Sequence, residues 1–265
     1  MNAADRARHR RVFAPVLLAL VAWAWAALAA WSYSPYARWL AHDEWTRSGP
    51  AAELCRVLPG GSVLVPAAVA GAAWVLMILA MMLPTTLPLV GAFERVVSAR
   101  PDRGRMLALL LLGYGVAWGA FGLLAHGLHE ALLAAAARVP GLAWHGAWIG
   151  AAVLALAGAF QFSSLKRRCL DKCRTPISFV TAHWRGRAPG RQAFRLGLHH
   201  GLFCVGCCWA LMLLMFLLGM GSLGWMALLG ALMAVEKNVT WGRRLSAPLG
   251  WALLAAAAAL AVSSA

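Results

Sequence analysis

The sequence carries no G-x-x-x-x-G-K-[ST] phosphate loop and no aspartyl-phosphate nucleophile motif of a pumping ATPase. Both absences argue against primary active transport by this chain alone. It also lacks any repeat at a fixed period and any Gly/Ser-rich linker long enough to separate one domain from another, so residues 1–265 read as a single domain. Charge is sparse. Only 12% of the residues are charged while 62% are hydrophobic, and mean hydropathy is +0.70. That is far more apolar than a soluble domain and specifies an integral membrane protein.

Acidic residues are the scarcest charge: nine Asp and Glu stand against 24 Lys and Arg, a net charge of +15. The distribution of the basic residues decides what that charge is for. Seven stretches are long enough to span, roughly 12–31, 63–83, 106–125, 144–162, 198–218, 223–239 and 248–264. The first lacks a small-residue cleavage site followed by a polar start, so it reads as a retained helix. Arg6, Arg8, Arg10 and Arg11 precede it, and Arg95, Arg100, Arg103 and Arg105 fill the second connection. Nine Lys and Arg between Lys166 and Arg195 fill the fourth, and Lys237, Arg243 and Arg244 the sixth. The remaining connections hold only Arg38, Arg47, Arg56 and Arg138. All the rich segments fall on one side if the amino terminus is cytoplasmic and seven helices alternate, as the positive-inside rule requires. The expected fold is an all-α, polytopic bundle of about seven helices in a bacterial inner membrane. The charge then serves orientation and contact with the lipid bilayer, and nucleic acid is not an expected partner. The external segment 32–62 reads as a short interfacial amphipathic helix.

Residues 203–212, FCVGCCWALM, place three cysteines within five positions of an apolar run. Residues three and four apart share a helix face, so Cys204, Cys208, Met212 and Met215 form a sulfur stripe with Cys207 at its edge. Cys169 and Cys173, just past the fourth helix, converge on the same cytoplasmic half, where thiols stay reduced. They share a face if helix continues to Arg174, and Pro176 supplies the stop. Met77, Met81 and Met82 lie together on the second helix, which Pro84 is expected to kink. A turn near Gly221 and Ser222 would set Glu236 level with Cys207. A membrane carboxylate calls for a partner, either the sulfur site or a cation: Lys237, Arg243 or a basic loop residue. His199 and His200 are candidate ligands at the mouth, or simply interfacial histidines. Cys55 stands apart as a packed or surface thiol.

Thiolate and thioether donors together select Cu(I), whereas a closed thiolate and imidazole set suits Zn. The candidate metal ligands are Cys204, Cys207, Cys208, Cys169, Cys173, Met81, Met82, Met212, Met215 and Glu236. No catalytic residue is assigned.

The segments MMLP, CRTPISF and GLFCVGCCWALMLLMFLLGMGSLGWMALLGALMAVEK resemble the bacterial family described as predicted metal-binding integral membrane proteins, a domain-of-unknown-function family. The resemblance covers about residue 63 to the end. It implies metal binding, with copper handling, and carries over Met81, Met82, Pro84, Cys173, Arg174, Pro176, Cys204, Gly206, Cys207, Cys208, Trp209, Met212, Met215, Met220, Glu236 and Lys237. The expected function is Cu(I) delivery to, or acceptance from, a partner protein, or translocation along the sulfur ladder. One alternative is a membrane thiol-disulfide oxidoreductase, since C-x-x-C is also the spacing of disulfide exchange. Another is a non-catalytic scaffold for assembly of a membrane metalloprotein. A reporter fused after Arg187 is expected in the cytoplasm and one after Ala265 outside; an external signal at Arg187 would overturn this topology.

Overall fold

The computed structural model describes residues 3–34, 64–138, 146–218 and 222–263, and every regular element among them is helical. In chain order these are α1 (Ala3–Ser32), α2 (Leu64–Met77), a π-helical turn (Ile78–Met82), α3 (Leu83–Val97), α4 (Arg103–Arg138), α5 (Gly146–Phe160), α6 (Ser164–Arg174), α7 (Pro176–His183), α8 (Pro189–Leu218), α9 (Leu223–Asn238), a 3-10 turn (Gly242–Leu245) and α10 (Ser246–Ser263). Cys55 and the segment 35–62 lie outside the described residues, as does the hairpin turn at Gly221.

Among the described residues, five helices are long and apolar enough to cross a membrane: Pro15–Ser32, Ala68–Val97, Arg103–Leu132, Pro189–Leu217 and Gly242–Ser263. A sixth candidate is the broken pair Ala147–Phe160 and Ser164–Arg174, bent by 62°. Six of the seven spans expected from hydropathy correspond to these candidates. The seventh is α9, whose 16 residues reach only about 24 Å at 1.5 Å per residue. That falls short of a hydrocarbon layer of about 30 Å.

Burial ranks the helices. In Ala68–Val97 and Pro189–Leu217, 61% of the apolar window is inside, against 17% in Pro15–Ser32 and Gly242–Ser263, so the first two form the centre. The closest pairing is α4 with α8, and glycine makes it possible. A Cβ at Gly197 would strike the Leu110 carbonyl, one at Gly113 the Phe194 carbonyl, and one at Gly201 the Ala117 methyl. Gly197 and Gly201 form a G-x-x-x-G step of the kind that lets two apolar helices touch backbone to backbone.

Pro84 neither stops nor sharply breaks its helix. It has no N–H for the carbonyl four residues back, Ala80. The strain is taken up as a π turn, with the Leu83 amide bonded to Ile78 O, and the span runs on to Val97. The freed Ala80 carbonyl instead accepts from the Trp25 indole of α1 at 3.2 Å. Pro176 behaves as the spacing predicts: α6 ends at Arg174, Thr175 leaves helical geometry, and α7 begins at the proline.

The basic connections gather at one end. Phe93 of α3 meets Trp184, just past α7, edge to face at 4.9 Å. At the same end Arg243 pairs with Asp171 at 3.2 Å and Arg174 donates to Thr240 O at 2.8 Å. Between α3 and α4 the Arg100 guanidinium holds Asp102 at 2.8 Å, and that hydrogen bond keeps the carboxyl below its ordinary range. Gly197→Ala is expected to destabilise the protein by about 1–3 kcal/mol through overpacking of the α4–α8 seam. Gly119→Ala, where a Cβ meets open space, should be neutral or stabilising by about 1 kcal/mol. Thermal melts in detergent compare the two; equal effects would remove the seam's special status.

Candidate metal centre

One core cluster unites Cys169, Cys204, Cys207 and Cys208 with Met77, Met81, Met82, Met212, Met215, Met226 and Met233, and Cys173 packs on its edge. Seven of the chain's ten methionines are there. Five elements deliver these sulfurs: α2 brings Met77, the π turn Met81 and Met82, α6 Cys169 and Cys173, α8 the C-x-x-C-C run with Met212 and Met215, and α9 Met226 and Met233. The five described cysteines are all free thiols.

Two sulfur pairs cross between elements. Cys173 Sγ stands 3.9 Å from Cys207 Sγ, and Cys208 Sγ stands 4.0 Å from Met82 Sδ. Metal–sulfur bonds of about 2.3 Å would put two ligands of one ion about 3.8–4.0 Å apart in tetrahedral or trigonal geometry. Sulfurs in plain contact stand at similar distances, so donor chemistry carries more weight here than spacing. Within α8, Cys207 and Cys208 both donate to the Cys204 carbonyl, at 3.1 and 2.9 Å. Cys169 reaches the α8 backbone because position 206 is glycine: a Cβ there would come 2.7 Å from Cys169 Sγ. Among the described residues, no three His, Cys, Asp or Glu side chains form a group able to hold a metal ion by themselves. A full ligand set on these sulfurs therefore needs a thioether such as Met82, or some movement of the second thiol pair. Met81 packs against Gly230 of α9, while Met212 and Met215 continue the buried face of α8.

The polar atoms around the sulfurs are specific. Lys237, only 5% exposed, directs its ammonium to Cys204 Sγ at 3.0 Å, Thr85 Oγ1 at 3.3 Å, Cys208 Sγ at 3.7 Å and Met82 Sδ at 3.8 Å. On the other side of Cys204 the Tyr114 hydroxyl lies 3.0 Å from the sulfur. A buried ammonium without an anion is costly. Among the described residues no carboxylate contacts Lys237, so the counter-charge that suits it is a thiolate.

Glu236, next in sequence, turns elsewhere. Its carboxylate accepts from Lys166 Nζ at 2.9 and 2.8 Å and from the Ser246 hydroxyl at 2.7 Å. Lys166 is fully buried and also donates to Gln161. Of the two kinds of partner open to Glu236, the structure thus supplies a cation, and among those expected it is a basic residue of the fourth connection, Lys166 of α6. In the sequence Lys166 looks like one more loop cation; its neighbours Ser163 and Leu170 hint at an amphipathic helix start. Tyr114, one of three tyrosines, and Thr85 also escape a reading by sequence, since each looks like ordinary helix packing. His200 is buried with Nδ1 unpartnered among the described residues, and His199 is exposed.

No curated protein and no solved structure matches the chain. The model of the PpoB2 copper chaperone family matches residues 71–260, the greater part of the sequence and all the sulfurs described above, and the chain belongs to that family.

Proposed function

We propose that this protein sits in the bacterial inner membrane and handles copper as Cu(I), holding it on the sulfur cluster and passing it to or from a partner protein. The observation that carries the reading is the convergence of Cys204, Cys208 and Met82 around the Lys237 ammonium, with the Cys173–Cys207 pair beside them. Soft sulfur donors select Cu(I) over hard cations, and Zn is the secondary candidate. A Cu(I) ion on two thiolates carries one net negative charge, which the buried Lys237 ammonium neutralises. The other sulfurs, Met81, Met212, Met215 and Cys169, extend the cluster as weaker stations along which the ion exchanges. The cytoplasmic amino terminus and seven alternating helices of the charge pattern complete this reading. In it α9 and the broken α5–α6 pair each count as a crossing.

A second reading keeps some force because Cys173 and Cys207 already face each other as a dithiol: thiol–disulfide exchange. Elemental analysis with a free-thiol count separates the two, copper with reduced thiols favouring the first.

Replacing Cys204 and Cys208 together by serine exchanges soft thiolates for hydroxyls and should abolish Cu(I) binding, while Cys55→Ser leaves it intact. Wild-type stoichiometry and affinity in the double variant would sink the proposal. Glu236→Gln leaves Lys166 buried beside a neutral amide and should destabilise the protein by about 3–5 kcal/mol. Copper stoichiometry in the folded fraction should be unchanged. Loss of copper from a fully stable Glu236→Gln protein would instead return Glu236 to the ligand set.

A further inference from the structure

The basic end of the bundle carries an open surface cavity of about 350 Å³ lined by Gln192 and the exposed His183, Arg187, Arg191, Arg195 and His199. Arg191, Arg195 and His199 recur every four residues and so project from one face of α8. None of the three arginines has a hydrogen-bonding or ion-pair partner among the described residues, and no acidic side chain lines the cavity. The wall facing them is fixed rather than loose. Gln192 accepts from the Arg185 and Gly186 amides at 3.0 and 2.9 Å and donates to the His183 carbonyl at 3.1 Å. Gly186 and Ala188 take positive φ values of 73° and 43° in that turn, and Ala188 also borders the cavity. A non-glycine residue held in the left-handed region is uncommon and marks a backbone shape kept by its surroundings.

The position matters as much as the charge. His199 lies five residues before Cys204 on the same helix, about 7.5 Å along its axis. The buried His200 ring, between Phe179 at 5.3 Å and Tyr114 at 6.4 Å, leads from the cavity wall to the tyrosine that touches Cys204. Cu(I) in a thiol-rich compartment travels as a thiolate complex, because soft ligands hold it. Such a complex is anionic when its carrier thiols also bear carboxylates. Three unpaired guanidinium groups form forks for carboxylates.

We propose that this cavity docks a small, carboxylate-bearing thiol carrying Cu(I), and that copper passes from it to the cysteines of α8. The inference rests on the sulfur cluster being a Cu(I) centre. Copper stays Cu(I) throughout the exchange. Each copper–sulfur bond broken on the carrier is replaced by one to a cysteine, and the proton leaving that cysteine is taken up by the released carrier thiolate.

The test uses the full-length apo protein in detergent and two donors, the Cu(I)–glutathione complex and the Cu(I)–acetonitrile complex, whose ligand is uncharged. Stopped-flow absorbance of the copper–thiolate band gives the rate. An Arg191→Gln/Arg195→Gln variant should load about tenfold more slowly from glutathione, the scale on which steering charges alter encounter. Its rate from the acetonitrile complex, a monocation, should be no lower than wild type and its final stoichiometry should equal wild type, which also shows that it is folded. Added salt should slow wild-type loading from glutathione and leave the variant nearly unaffected. Equal slowing from both donors, or no slowing from glutathione, overturns the proposal. So does an unchanged glutathione rate accompanied by loss of co-purifying phosphatidylglycerol, which would make the cavity a lipid headgroup site. If wild type takes copper from neither donor, the Cu(I) centre itself falls and this inference with it.

Discussion

The Lys166–Glu236 ion pair governs how the sulfur cluster is held together, because both charges are buried and each is the other's counter-charge. Lys166 stands on the first turn of α6, three residues before Cys169, and Glu236 stands next to Lys237 at the end of α9. Joining them fixes two helices that hold different regions of the sulfur cluster. Ser246 adds α10 and Gln161 adds the bend after α5 to the same knot. The pair therefore acts on position, and its energetic worth shows mainly when one member is removed. Two neighbouring residues of α9 divide the work: Glu236 secures the scaffold and Lys237 supplies charge to the thiols.

Close approach of backbones is the second condition. Glycines at 113, 197 and 201 bring α4 against α8, which is how Tyr114 comes within 3.0 Å of Cys204. Gly206 repeats the device on another face of α8, where it admits Cys169. The C-x-x-C-C run thus depends on two kinds of glycine contact, one with a neighbouring backbone and one with a sulfur.

Much of this is legible in the sequence. Helical spacing puts Cys204, Cys208, Met212 and Met215 on one stripe, and the structure buries all four. The Pro176 stop follows from steric clash before proline. Other features depend on partners distant in the chain. Hydropathy picks out α9 by its apolarity alone, while its 16 residues make it shorter than the other candidate spans. The bend at Gln161–Ser163 turns on a Ser163 cap that accepts from the Lys166 amide, a local signal hidden inside a basic run. Lys166 looks like a topology marker because nothing in its own neighbourhood reveals that Glu236, seventy residues on, is waiting for it.

The indole of Trp25 has a consequence for how the chain is partitioned. It satisfies the Ala80 carbonyl that Pro84 releases, and so supports the π turn carrying Met81 and Met82. The region matched by the copper chaperone family begins at residue 71. Trp25 lies before it, on a helix that is otherwise among the least enclosed. The matched segment is therefore not self-sufficient in hydrogen bonding. A piece cut at its boundary would lose the indole that meets this carbonyl, within two residues of the methionine beside Cys208. In that sense α1 is an outlying wall of the centre, built from a stretch of chain that supplies it no sulfur.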